Sequence, residues 1–267
     1  MNTTTTTAPP QRRHRWLGLA IALAVPLSGC GTDAPQPPSA DPSTTILTAT
    51  TRPSLTASPA QPPTTDLFGN RLDVVGDEGR ALPQDPATRP NPSSDDYLTA
   101  APARMTWQRG WGGAALPVSG SDGPALIDRG IASGFADTPQ GAALAACDAL
   151  ARTLAAPEGL WESAVRARFV GDTDAFIARV TRSRSRTPDA ARYVTVPDGI
   201  RIRDGHRPDF AVVDIATRTR DGYTSTSWAM TYDGDWRARL PDDIETFWQP
   251  GDPLSNLAGF GQWRTTT

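Results

Sequence analysis

"DFAVVDIATRTRDGYTSTSWAMTYDGDWRARL", Asp209 to Leu240, is the stretch that decides the fold class of this 267-residue chain. Apolar and polar residues alternate through "DFAVVDIATRTR", "YTSTSWAMTY" and "DWRARL", the period of a half-buried strand. Asp221-Gly222 and Asp233-Gly234 separate these runs, and Asp-Gly is a tight-hairpin signal because both residues tolerate positive φ. Upstream, "RYVTV" and "GIRIR" read as two more strands, with Asp204-Gly205 marking another turn. Trp236, Ala238 and Leu240 alternate with Arg237 and Arg239, so one face of the meander is wet. The other needs a cover.

Three helical patterns precede the strands and supply it. "IDRGIASGFA", Ile127 to Ala136, reads as a short strand, and "DTPQGAALAACDALARTLA" then starts a helix. Asp137 or Thr138 caps it, Pro139 suits its first turn, and Gln140 is placed to complete a capping box with Asp137. Leu144, Cys147, Leu150 and Leu154 recur at helical spacing, which puts Cys147 in a core stripe as a small hydrophobe. A second helix carries Trp161, Val165 and Phe169 on one face and ends at Gly171. Thr173 caps the third, which buries Phe176, Ile177 and Val180 and finishes in "RVTRSRSR", where cations favour a helix C-terminus. In the tail, Trp248, Phe260 and Trp263 are apolar pegs and a short helix is expected near Pro253 to Leu257.

The fold expected from these elements is α+β. Three N-terminal helices pack on a bent antiparallel sheet, and a signal peptide and disordered linker come before them. That order resembles the cone-shaped nuclear-transport-factor-like fold. "SGSDGPALIDRGIASGFADTPQGAALAA", Ser119 to Ala146, with "YDGDWRARLP" later, is similar to a group of uncharacterised actinobacterial lipoproteins carrying a domain of unknown function. That domain in turn resembles extracytoplasmic components of conjugation and type IV secretion systems. The resemblance covers about residues 66–250 and implies no catalytic residue.

The N-terminus sets the expected compartment. Arg12, Arg13 and Arg15 precede "WLGLAIALAVPL", Trp16 to Leu27, which is shorter than the roughly 20 residues of a membrane span. A basic region followed by a short apolar region is a secretory signal. Leu27, Ser28, Gly29 and Cys30 follow as a lipobox: a branched residue, two small residues that let the peptidase take the backbone in extended form, and the thiol that forms a thioether with diacylglycerol. Cys30 is therefore the expected lipidation site, with the lipid bilayer as its partner on the extracytoplasmic face of the cell membrane. Cleavage before Cys30 leaves 23 arginines against 29 acids, a formal charge of −6, and His206 as the one histidine.

Residues 30–65 read as a disordered tether. In the 35 residues from Gly31, Thr, Pro and Ser make 21, too little apolar surface to offset the entropy of ordering. Its reach is roughly 30 Å as a coil and about 110 Å as polyproline. Residues 66–117 are expected to lie extended over the domain, pegged by Trp107 and Trp111; the domain spans 118–250 and the tail 251–267.

The inventory narrows the chemistry. All 26 basic residues are arginine, so no phosphate-loop lysine, Schiff base or serine–lysine dyad exists. The arginine bias with abundant Ala and Pro suits a GC-rich host. An acidic balance argues against nucleic acid as a partner. No G-x-S-x-G occurs, and His206 beside a predicted turn reads as an exposed polar residue. One histidine and one buried cysteine make no usual zinc site, and the loop beginning at Asp233 lacks the glycine and final acid of a calcium loop. No cofactor, metal or catalytic residue is assigned. Asp214, among Val212, Val213 and Ile215, is the one acid that alternation leaves ambiguous: a base if it faces a pocket, inert if it faces water. The expected function is a non-enzymatic lipoprotein that binds other envelope proteins, with a small-molecule binder or cavity enzyme as the alternative.

Overall fold

A computed structural model describes residues 61–264. The signal region, the lipobox with Leu27, Ser28, Gly29 and Cys30, and most of the tether lie outside the described residues. Strand pairing begins at Thr64, inside the span expected to be tether: β1 (Thr64–Thr65) runs antiparallel to β2 (Arg71–Leu72). The Asp66 carboxylate closes this turn by accepting from the N–H groups of Phe68 and Asn70, and from that of Val196 in the domain. Next come β3 (Thr106–Arg109) and β4 (Ala115–Val118), an antiparallel pair. Trp107 on β3 is buried and its indole N–H donates to the Trp263 carbonyl at 2.6 Å, so the tail and the N-terminal segment are pinned together.

The expected single strand at 127–136 is instead a hairpin, β5 (Leu126–Asp128) and β6 (Ile131–Ser133). Its two turn residues, Arg129 and Gly130, both have positive φ (46° and 73°), the hairpin backbone that matches strand twist. Helix α1 (Pro139–Ala155) starts as predicted, with Thr138 accepting from the Gly141 N–H and Pro139 in the first turn. Gln140 does not close a capping box; its amide donates to the Tyr97 carbonyl. The helix is buried on nearly every side, because Ala142, Ala145, Ala146 and Ala149 let neighbouring elements approach closely. Helix α2 (Leu160–Arg168) gives way to β7 (Phe169–Val170), and α3 (Thr173–Arg186) is capped by Asp172 rather than Thr173. At the far end of α3, Arg184 donates to the carbonyls of Thr153, Leu154 and Ala156, which are the unsatisfied acceptors of the α1 C-terminus.

The remaining strands are β8 (Gly199–Ile202), β9 (Phe210–Thr219), β10 (Gly222–Tyr232), β11 (Trp236–Arg239) and β12 (Asp252–Leu254). With β7 they form one sheet of six strands in the order β7-β11-β10-β9-β8, with β12 also on β10. The α+β class holds, but three N-terminal helices on an antiparallel sheet do not. The helices occupy 139–186, in the second half of the chain, and follow three two-stranded pairs. The sheet is mixed, because β7 pairs parallel to β11 through Phe169 and Ala238. Phe169 ends α2 early: it is buried, packed against Phe176 in a tilted pair at a centroid distance of 4.8 Å. Two smaller readings also change. "RYVTV" is no strand: Arg192 and Tyr193 end a 3-10 turn at Ala190–Tyr193, entered through a left-handed Asp189, and Val194 to Val196 are irregular, while the expected helix near Pro253 is strand β12.

Candidate functional site

Asp214 faces neither a pocket nor bulk water. Its side chain is fully buried on the outer face of the sheet, beneath Arg201 and Arg203 from the β8 end and beside Ser227 on β10. Arg201 donates to it at 2.7 Å, Arg203 at 3.0 Å and the Ser227 hydroxyl at 2.7 Å. Burial alone would raise the carboxyl's pKa; the bonds from Arg203, Arg201 and Ser227 outweigh it and hold the group below the ordinary carboxylate range. A carboxylate so bound is a poor base. A depressed pKa makes stability that is present above the unfolded value, about pH 3.9, and is lost as the pH falls through the folded value. Asp214→Asn is therefore expected to unfold at lower urea than the parent at pH 7, with the gap closing towards pH 2. A gap that is constant with pH would contradict this account.

The same face holds a second fixed carboxylate. Asp198 is buried, accepts from Nε and Nη2 of Arg218 and also pairs with Arg264. Phe68 lies over Arg218 and Phe260 over Arg201, so the tail and the first turn cover part of the wet face. Of the other residues considered for chemistry, Cys147 is buried in the core, with burial pushing its thiol up to about 12. It is no nucleophile at neutral pH. His206 sits half-buried beside the Tyr97 ring, at 6.1 Å. Asp235, in the loop that begins like a calcium site, is spent on the N–H groups of Gly134 and Phe135 and on Arg168. Among the described residues, no three His, Cys, Asp or Glu side chains come together to hold a metal ion.

The feature suited to binding is a cleft of about 660 Å³ on the inner face of the sheet. Trp228 and Phe169 form its floor, α3 contributes Phe176 and Val180, and the segment after β11 brings Phe247 and Trp248 as a wall. Phe247 meets Trp228 edge-on at 5.0 Å and Phe176 at 5.5 Å. Arg179 lies 4.2 Å over the Trp248 ring while donating to Glu245, which fixes the outer lip. Three hydroxyls along the cleft have partners in the chain: Thr153 donates to the Ala149 carbonyl, Thr246 to the Asp243 carbonyl, and Thr226 accepts from the Trp228 indole. The cavity offers apolar area and no convergent acid–base set. Sequence periodicity missed it, because Phe247 and Trp248 come from a 3-10 turn at Ile244–Trp248 that has no strand or helix period. The one available signal was a "TFW" cluster between prolines.

The fold is α+β, built on a mixed six-stranded sheet. The chain belongs to the family described as a domain of unknown function, DUF8175, which matches residues 75–262. No curated protein and no solved structure matches the chain. Among the described residues, no helix is long and apolar enough to cross a membrane.

Proposed function

We propose that this chain is an actinobacterial lipoprotein, held on the extracytoplasmic face of the cell membrane by diacylglyceryl Cys30. Its domain binds other envelope proteins and catalyses no reaction. The observation that carries the binding role is the open cleft, walled by Phe169, Phe176, Trp228, Phe247 and Trp248, with Arg239 and Asp252 as its charged lining residues. The lipobox Leu27-Ser28-Gly29-Cys30 and the Pro/Thr/Ser-rich tether support the anchor. A conjugation or secretion assembly is the setting proposed. A second reading, an apolar small molecule in the cleft, is favoured by its volume, which falls within the roughly 300–1,000 Å³ of ligand sites.

Fractionation and crosslinking of the full chain test the two halves. Wild type is expected to stay with membranes after a high-salt wash, and Cys30→Ser to leave them almost completely. Retention of Cys30→Ser in membranes, with or without globomycin, would sink the anchor. Crosslinking in intact membranes is expected to give discrete heteromeric species; their absence contradicts the protein-binding role.

A further inference from the structure

Strand β10 is paired along one whole side and only at the two ends of the other. Met230, Thr231 and Tyr232 pair with β11, and Tyr223, Thr224 and Ser225 pair with β12. Between them, Thr226 to Ala229 have a strand partner on the β9 side alone. The direction of their backbone groups follows from alternation. Arg203 N–H donates to the Val212 carbonyl, so Val212 and its alternates in β9 bond towards β8. Ala211, Val213 and Ile215 then bond towards β10, to their partners Met230, Trp228 and Thr226. Ser227, in the middle of the opening, is left with its N–H and C=O turned away from β9 and into the gap.

Sequence keeps the gap open. β11 runs into Pro241 and β12 is preceded by Pro250, and neither proline has an N–H to continue a ladder. Gly251 lets the returning chain come so close that an added Cβ would lie 2.3 Å from the Ser225 carbonyl oxygen. The chain between the prolines leaves the sheet and carries Phe247 and Trp248 to the cleft, so gap and cleft share the same stretch of β10.

We propose that this opening receives an extended segment of a partner protein, which completes β10 by strand addition and sets an apolar side chain in the aromatic cleft. The proposal deepens the protein-binding reading above and rests on it. A residue placed opposite Trp228 shares its face of the sheet and so enters the cleft. β11 and β12 both run antiparallel to β10, and an inserted segment that continues them has its N-terminal side at β11 and its C-terminal side at β12. Exposed Arg239 stands at the first end and exposed Asp252 at the second. Charge complementarity therefore selects an acid, then an apolar residue, then a base, within about four residues or roughly 13 Å of strand.

A phage-displayed random heptapeptide library panned on the full chain supplies the probe, and the best peptide is then synthesised. Enrichment of the acid–apolar–base order is expected. The peptide should slow exchange of the Ser227 amide at least tenfold, and Phe247→Ala should raise its Kd at least tenfold while Tyr193→Ala, on a separate exposed surface, leaves Kd unchanged. Should Phe247→Ala fail to fold, Ser227 exchange in the unaltered chain still decides. Three results overturn the proposal: no peptide enriched above background, a bound peptide that leaves Ser227 exchange unchanged, or protection of the cleft by dodecanoate and by no peptide. If these fail while membrane crosslinking still yields partners, strand addition falls and the protein-binding role stands. If crosslinking also fails, both fall.

Discussion

Replacing Asp148 by alanine is expected to lower the unfolding free energy by about 3–5 kcal/mol, the usual result of leaving one partner of a buried ion pair uncompensated. Asp148 and Arg152 are both wholly buried, one helical turn apart on α1, with the Arg152 Nε 2.8 Å from one carboxylate oxygen and 2.9 Å from the other. Arg152 also donates to the carbonyls of Gly130 and Glu78 and lies over the Trp111 ring. It thereby joins the helix, the β5–β6 turn and the N-terminal segment. Replacing the pair together, Asp148→Leu with Arg152→Met, should recover most of the loss, because no charge is then left buried. Urea unfolding of the three chains measures this; a deficit below about 1 kcal/mol in Asp148→Ala would contradict the assignment.

Trp236→Ala is expected to cost a similar amount, about 3–5 kcal/mol, by opening a cavity in the core at the start of β11. Its side chain is buried, its indole N–H donates to the Ala136 carbonyl at 2.7 Å, and Tyr232 packs edge-on to it. Trp248→Ala, by contrast, removes a half-buried cleft wall and should cost only about 1 kcal/mol, the scale of partial apolar burial. The contrast matters more than either value. Equal losses would mean that the wall is core and that the cleft has no free surface to offer a ligand.

The parts legible from sequence are those with a repeating signal. Alternation with Asp-Gly turns located β9, β10 and β11, and Thr138-Pro139 located the start of α1. β7 and β12, of two and three residues, are too short to show any period, yet they make the sheet mixed and leave the gap beside β10. The Asp148–Arg152 pair did leave a trace, an acid four residues ahead of a base inside an Ala/Leu-rich helix, which is the favourable i,i+4 order. Burial of that pair depends on Glu78 and Gly130, far away in sequence, and no local pattern reports it. Asp214 was ambiguous for the same reason: the arginines that cover it come from β8 and the residue after it.

The most direct test of the binding role is site-specific photocrosslinking in intact membranes, with benzoylphenylalanine at position 247 in the cleft wall or at position 193 on the exposed surface. A discrete protein adduct from 247 and none from 193 is the predicted result. Adducts of equal yield from both positions, or none from 247, would contradict it.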